Sequence, residues 1–339
     1  MKAVRLYAAG DLRVEDIASP PAPGAGEVRV AVSAAGICGS DLHNFRTGAW
    51  ISRSPSVAGH EFAGRVAAIG EGVIGLAVGD AVVADSRVTC GVCAACRGGR
   101  PNVCEKLGFV GEVCEGGFAE EAVLPASLVV RAPDDVDAAA LAMAEPLAVA
   151  LHAVKRLAVP AGSPVLIAGC GPIGGLAALI LSERHDGPLL VADRNADRAQ
   201  RVAEVTGAHI VDLTAEAVAE VLAGQSLLAV LDATGHPGVI GILLDIVSSG
   251  GTLALVGIGH GSLNIDPVRL VEREIVLAGC HAFTDELPEA VALMPKLEDR
   301  LLAMVDEIIT LDAVPAAYDR LLAGRSIGLK TIIRPGAAE

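Results

Sequence analysis

Aromatic residues are scarce: one Trp, two Tyr and five Phe make up only 2% of 339 positions. A core must therefore be assembled from many small aliphatic side chains, and a hydrophobic fraction of 52% supplies them. Positive charge is also short, with 26 Lys and Arg against 41 Asp and Glu, a formal net charge of −15. No basic cluster interrupts that balance, so nucleic-acid and membrane-surface partners are disfavoured. There is no internal repeat, no low-complexity tract and no run of like charge long enough to form a tail. The first residues lack an apolar signal core and a small-residue cleavage site, which makes the cytoplasm the expected location.

The length suits two domains, since a typical domain holds roughly 100 to 200 residues. Mean hydropathy is positive, and the uncharged stretch 164–182 is long enough to imitate a membrane span. Its interior, Gly169-Cys170-Gly171-Pro172-Ile173-Gly174-Gly175, reads instead as the end of a buried strand, a tight turn and a helix. Before residue 150, short β-branched runs at 27–32 and 80–84 alternate with Gly/Pro turns such as 20–24, the pattern of a twisted, mostly antiparallel barrel. From about Leu147, compact apolar strands at 165–168, 189–192, 229–231, 253–256 and 275–277 alternate with helical stretches, which predicts a doubly wound parallel sheet. The tail holds a helical segment at 287–293 and a strand at 330–333, too little to fold alone. The predicted organisation is an α/β protein with one domain formed by 1–147 and 285–339 and a second by 148–284.

Four of the eight cysteines crowd into Cys90-x2-Cys93-x2-Cys96-x7-Cys104. In a reducing compartment this spacing favours metal over disulfide, and glycines in the filler let four sulfurs reach tetrahedral positions about 2.3 Å from Zn²⁺. A closed four-thiolate site has no open position for substrate, so it predicts a structural zinc that orders a lobe at 86–112. Cys114, Cys170 and Cys280 read as ordinary small hydrophobes, and His281 is a weak candidate for a pocket wall.

A second set of ligand-type residues is scattered: Cys38, the pair His60-Glu61, and Glu145. Taken singly, each has a bland reading as a buried thiol, a loop histidine or a surface carboxylate. Together a thiolate, an imidazole and a carboxylate suit a catalytic zinc that keeps one position open, where an alcohol oxygen loses its proton near neutral pH. Ser40 and His43, three residues apart, are candidates for relaying that proton outward. The spacing leaves open whether Glu61 or Glu145 reaches the metal.

Gly169, Gly171, Pro172, Ile173 and Gly174 follow a predicted strand and open a helix, the context in which such a turn holds a pyrophosphate at a helix N-terminus. Asp193, at the end of the next strand, is placed to accept ribose hydroxyls and to repel the 2′-phosphate of NADP, so NAD is the expected cofactor. Arg194 and Arg198 would partly offset that repulsion.

With these motifs in this order, the chain resembles the zinc-containing medium-chain dehydrogenase/reductase family over essentially its whole length. The resemblance rests on Gly36-Ile37-Cys38-Gly39-Ser40-Asp41, Gly59-His60-Glu61, the four-cysteine lobe and the glycine turn. It implies a GroES-like domain and a Rossmann domain with the active site in the cleft. It also implies a catalytic zinc at Cys38, His60 and the Glu61/Glu145 pair, a Ser40/His43 relay, and a nicotinamide pocket lined by Val256, Gly257, Ala278 and Gly279. Gly39 and Glu145-Pro146 look like the sorbitol and butanediol dehydrogenase branch, which implies NAD-linked oxidation of a secondary alcohol of a polyol or vicinal diol to the ketone. By the same resemblance the partner is a small alcohol or polyol and the assembly a homo-oligomer, a tetramer or dimer, with 271–277 suited to a subunit contact. The alternatives are a threonine, sugar-acid or aminocyclitol dehydrogenase of the same family, a zinc-free quinone reductase, and a non-catalytic nucleotide-binding protein.

Overall fold

The strand Glu27–Gly36 carries Val28, Val30 and Val32 at alternate positions, and all three turn into the core while their neighbours face outward. In the structure, a computed structural model that describes residues 1–259, 261–326 and 328–336, this strand is the spine of the first of two compact units. That unit comprises Met1–Glu145 and Leu287–Glu339, and the second Pro146–Glu286.

The spine pairs antiparallel with Glu61–Ile69 on one side and Lys330–Ile333 on the other. Outer strands Ala81–Ala84, Val129–Arg131, Glu121–Pro125 and Val305–Ile309 complete a mixed sheet of seven. Its one parallel pair joins Val305–Ile309 to Lys330–Ile333. The register sets Gly36 opposite Glu61 on one neighbour and opposite Ile332 on the other. A Cβ on Gly36 would meet Glu61 Oε2 at 2.5 Å and Lys330 Cε at 2.8 Å, so only glycine lets those two side chains meet across the spine. Phe62, Phe118 and Tyr318 are fully buried in this unit, where they add bulk to a core of Val, Leu and Ala.

In the second unit, six parallel strands run in the order His209–Ile210, Leu189–Ala192, Val165–Ala168, Ala229–Asp232, Thr252–Leu255, Val276–Gly279. The order reverses beside Val165–Ala168, the switch point at which such sheets bind ligands. The cluster around this sheet is wholly aliphatic among the described residues. Helix Pro172–Arg184 is apolar nearly all round, and its residues Gly174 to Leu181 are buried.

Among the elements that escape the sequence reading are the helix Gly39–Thr47, the two-residue edge strand His209–Ile210, the strand Val305–Ile309 and the helix Val314–Leu322. Val305–Ile309 reads Val-Asp-Glu-Ile-Ile, with no period of two, and its strand character comes from its parallel partner. The expected segment at 287–293 is the first part of a longer helix, Glu286–Leu302, which continues through Pro295. No described helix is long and apolar enough to cross a membrane.

Candidate active site

Cys38 leaves the spine strand and caps the helix Gly39–Thr47. Its backbone N–H donates to Asp41 Oδ2 at 2.8 Å, so a carboxylate sits at the positive end of the first turn. Asp41 Oδ1 lies 3.5 Å from His60 Nδ1. Glu61 opens the neighbouring strand opposite Gly36, which brings its carboxylate and the preceding imidazole to Cys38. Ligand atoms of Cys38, His60 and Glu61 all lie within 4.8 Å of one another. One soft and two harder donors, with no fourth ligand among the mutually close atoms of the described residues, fit a zinc that keeps a position open.

The charges are consistent with a cation there. Desolvation works against charge on the buried His60, but Asp41 and Cys38 outweigh it and hold its basicity well above the ordinary histidine range. An imidazole so surrounded is built to bind a positive charge, proton or metal. Lys330 supplies a buried counter-charge: its ammonium pairs with Glu61 and donates to Ile37 O at 3.1 Å. Burial alone would lower it, yet Glu61, Cys38 and Asp41 hold it above the usual lysine range.

Glu145 is buried in the same unit, where Ser86 donates to its Oε1 at 2.6 Å. Its oxygens are not among the mutually close ligand atoms, which include Glu61's. Burial pushes its carboxyl up to about 7, with His60 pulling down and Glu61 pushing up. Ser40 Oγ is 3.5 Å from His60 Nε2. His43, one turn along the helix, packs on Trp50 with ring centroids 4.6 Å apart. Trp50 is itself tied back by its N–H to Asn44 Oδ1 at 2.9 Å.

The four cysteines of the lobe also converge, with sulfurs within 4.8 Å of one another. A tetrahedron with Zn–S of about 2.3 Å has edges of about 3.8 Å. The separations of 3.5 Å for Cys90–Cys104 and 3.9 Å for Cys93–Cys104 bracket that edge. The backbone N–H groups of Cys90 and Lys106 point at Cys104 Sγ, both at 3.3 Å, and that of Cys96 points at Cys93 Sγ. These donors lower the Cys104 thiol and bring Cys93 down to about 6, whereas desolvation and the Cys93 and Cys104 sulfurs push Cys96 up to about 12. Cys114, Cys170 and Cys280 are also pushed up by burial.

In the second unit, Gly169 ends the switch-point strand at φ +98°, and Gly171 caps helix Pro172–Arg184 with Pro172 at its first position and Ile173 after it. A Cβ on Gly174 would lie 1.8 Å from Gly169 O, so the turn closes only with glycine there. Asp193 spans the turn, accepting from Cys170 N at 2.6 Å and Asn195 N at 2.7 Å. Arg194 is exposed and Arg198 half-buried beside it. The N–H groups of Val256 and Gly257 both donate to Asp232 O, at 2.9 and 3.1 Å, and Ala278 and Gly279 close the last strand. All four lie at carboxyl ends of parallel strands, the binding edge of such a sheet.

Residues 24–134 match the alcohol dehydrogenase GroES-like domain, and residues 172–296 the zinc-binding dehydrogenase domain. The chain is 33% identical over 270 residues to L-galactonate-5-dehydrogenase of Escherichia coli K12, covering 78% of this chain and 79% of that one. It is 28% identical over 344 residues to sorbitol dehydrogenase of Bacillus subtilis, covering 99% and 97%. This chain belongs to the zinc-containing medium-chain dehydrogenases. The fold of an E. coli CFT073 alcohol dehydrogenase complexed with NADH superposes with a TM-score of 0.89 at 29% identity, covering 98% of this chain and 99% of that one. The protein is thus a zinc-containing dehydrogenase, an oxidoreductase acting on alcohols, similar to the polyol dehydrogenase-like branch.

For this dehydrogenase the sequence reading passes over three residues of the site. Asp41 was within reach, since it stands three residues after a helix cap, where a carboxylate closes a capping box. Ser86 and Lys330 carry no local signal, because both arrive through the fold.

Proposed function

We propose that this enzyme oxidises a secondary alcohol of a polyol or vicinal diol to the ketone and passes the hydride to NAD⁺. The observation that carries the reading is the convergence of Cys38, His60 and Glu61 on one point. Zinc, when bound, supplies Lewis acidity that brings the deprotonation of a hydroxyl toward neutral pH.

The chain's own residues do the remaining work. Cys38, His60 and Glu61 hold the metal, and Glu145, kept in place by Ser86, is a second carboxyl beside them. Ser40, next to His60, takes the hydroxyl proton and hands it to His43, an imidazole one turn along the helix. The turn Gly169 to Gly174 holds the pyrophosphate, and Asp193 receives the ribose hydroxyls and disfavours a 2′-phosphate. Arg194 and Arg198 moderate that preference, and Val256, Gly257, Ala278 and Gly279 line the nicotinamide. The alcohol loses a hydride from carbon and a proton from oxygen, and the products are ketone, NADH and H⁺.

Polyol chemistry is supported by what sorbitol and L-galactonate share, a run of adjacent secondary hydroxyls. The L-galactonate relative, at 33% identity, favours a sugar acid as the second reading. We further propose a cytoplasmic homo-oligomer, a dimer or tetramer. Val268, Val271 and Val276, at or beside the edge strand of the parallel sheet, are 53%, 75% and 54% exposed, a surface suited to a second copy.

The test is zinc content per chain together with NAD⁺ reduction over a panel of sorbitol, 2,3-butanediol, L-galactonate and threonine, in wild type and Cys38→Ser. Two zincs, turnover of a polyol or diol, and a folded Cys38→Ser variant with one zinc and no turnover are expected. Full activity without Cys38 refutes the zinc reading, and turnover of threonine alone refutes the polyol.

A further inference from the structure

Asp41 forms one wall of a small cavity inside the first unit, with room for about one water molecule. Most of the lining is apolar, and the polar side chains in it are Asp41, Asn44, Glu112 and Tyr318. Asn44 Oδ1 is occupied by Trp50 N–H, and Tyr318 is 1% exposed with its ring edge-on to Phe45. Glu112 is fixed by its backbone. Its carbonyl accepts from Ser52 Oγ at 2.8 Å, and its N–H donates to Phe109 O at 3.0 Å. Phe109 in turn packs near the His60 ring, with centroids 6.4 Å apart. One turn thus sets both a side of His60 and the place of the Glu112 carboxyl.

Burial pushes that carboxyl up to about 7, with His60 drawing it down and Asp41 pushing it up. The Tyr318 hydroxyl is held well above its ordinary range by burial and by Asp41 and Cys38. The Glu112 carboxyl and the Tyr318 hydroxyl therefore share the cavity with Asp41. The open space at its centre suits about one water molecule, which needs two to four polar partners, and this lining offers them.

We propose that Glu112 is a positioning residue for His60: through one water in this cavity its carboxyl supports Asp41 and keeps that carboxylate turned to His60 Nδ1. The inference rests on the reading of His60 as a metal ligand. A ring whose Nδ1–H is pinned by a carboxylate offers Nε2 in a fixed direction, and outer partners of this kind are typically worth about 10- to 100-fold in metal affinity. The groups that face Glu112 are Asp41 and Asn44 from helix Gly39–Thr47, His60 ahead of its strand, and Tyr318 from helix Val314–Leu322.

The experiment is the rate at which a chelator strips zinc from the purified full-length protein, resolved for each of the two zincs, in wild type, Glu112→Gln, Glu112→Leu and His60→Ala. Glu112→Leu is expected to release the zinc held by His60 about tenfold faster, with the four-cysteine zinc unchanged. Glu112→Gln, which keeps shape and a donor, is expected to stay within about twofold of wild type. Equal release from Glu112→Leu and wild type overturns the proposal, as does a Glu112→Gln variant that releases as fast as Glu112→Leu. If Glu112→Leu does not fold, Glu112→Gln with tenfold faster release is the overturning result. A His60→Ala variant that keeps both zincs overturns the ligand reading itself and this inference with it, whereas loss of that zinc in His60→Ala beside wild-type release in Glu112→Leu overturns the inference alone.

Discussion

Replacing Lys330 by Met removes the ammonium that faces Glu61 while roughly keeping the volume. Both side chains are 1% exposed, so the Glu61 carboxylate cannot turn to water for compensation. Removing one partner of a buried ion pair costs about 3 to 5 kcal/mol, because the other charge stays behind unpaired. The Ile37 carbonyl also loses its donor, a further ~1 kcal/mol or more. For a unit of about 200 residues each kcal/mol moves Tm by roughly 2 to 4 °C, so the zinc-free variant is expected to melt roughly 8 to 24 °C below wild type. The second arm is Lys330→Met combined with Glu61→Gln. Neutralising the orphaned carboxylate recovers much of the loss, with a coupling between the two changes of about 2 kcal/mol. Calorimetry of zinc-free and zinc-loaded protein reads both quantities, and the loaded protein is expected to lose less, since a cation at Cys38 and His60 partly replaces the ammonium. A zinc-free Lys330→Met within about 1 kcal/mol of wild type refutes the argument, as do two single losses that simply add.

Cys96→Ser leaves three thiolates in the lobe, and metal-binding energy there is folding energy, so one zinc per chain should be lost and the segment 86–112 become the first site of proteolysis. Retention of two zincs by that variant sinks the structural assignment. Gly174→Ala drives a Cβ to 1.8 Å from Gly169 O and must open the turn, so NAD⁺ affinity measured by titration should fall at least about tenfold with zinc content unchanged. Unaltered affinity would place the pyrophosphate elsewhere. Glu145, pushed up to about 7 from an ordinary 4.5, keeps a proton in the folded state that the unfolded chain has already released between those values. The folded state binds more protons over that window, so zinc-free stability falls as pH rises from 4.5 to 7, by ~3 kcal/mol for this group. Glu145→Gln should flatten that fall in denaturant titrations, and an unchanged slope refutes the assignment.

How far the sequence speaks for itself depends on how far apart in the chain the partners stand. The cysteine lobe and the glycine turn are legible because every group they need lies within one short segment, and the geometry of a loop or a strand–turn–helix is nearly implied by the spacing. The scattered ligands are legible by residue type alone. What brings Glu61 to Cys38 is the pairing of Gly36 with Glu61, and a slip of one residue would turn Glu61 to the other face of the sheet. That register is invisible in the motif, which is why the sequence leaves open whether Glu61 or Glu145 stands closer to Cys38 and His60. Lys330 lies further off still, delivered by the pairing of Ile332 with Gly36 across nearly the whole chain. A physical rule nevertheless points toward it. A buried carboxylate needs a buried cation, and among the described lysines and arginines only Arg87 and Lys330 are buried. Arg87 is taken by Asp85, two residues before it, which leaves Lys330 to balance Glu61, with which it pairs.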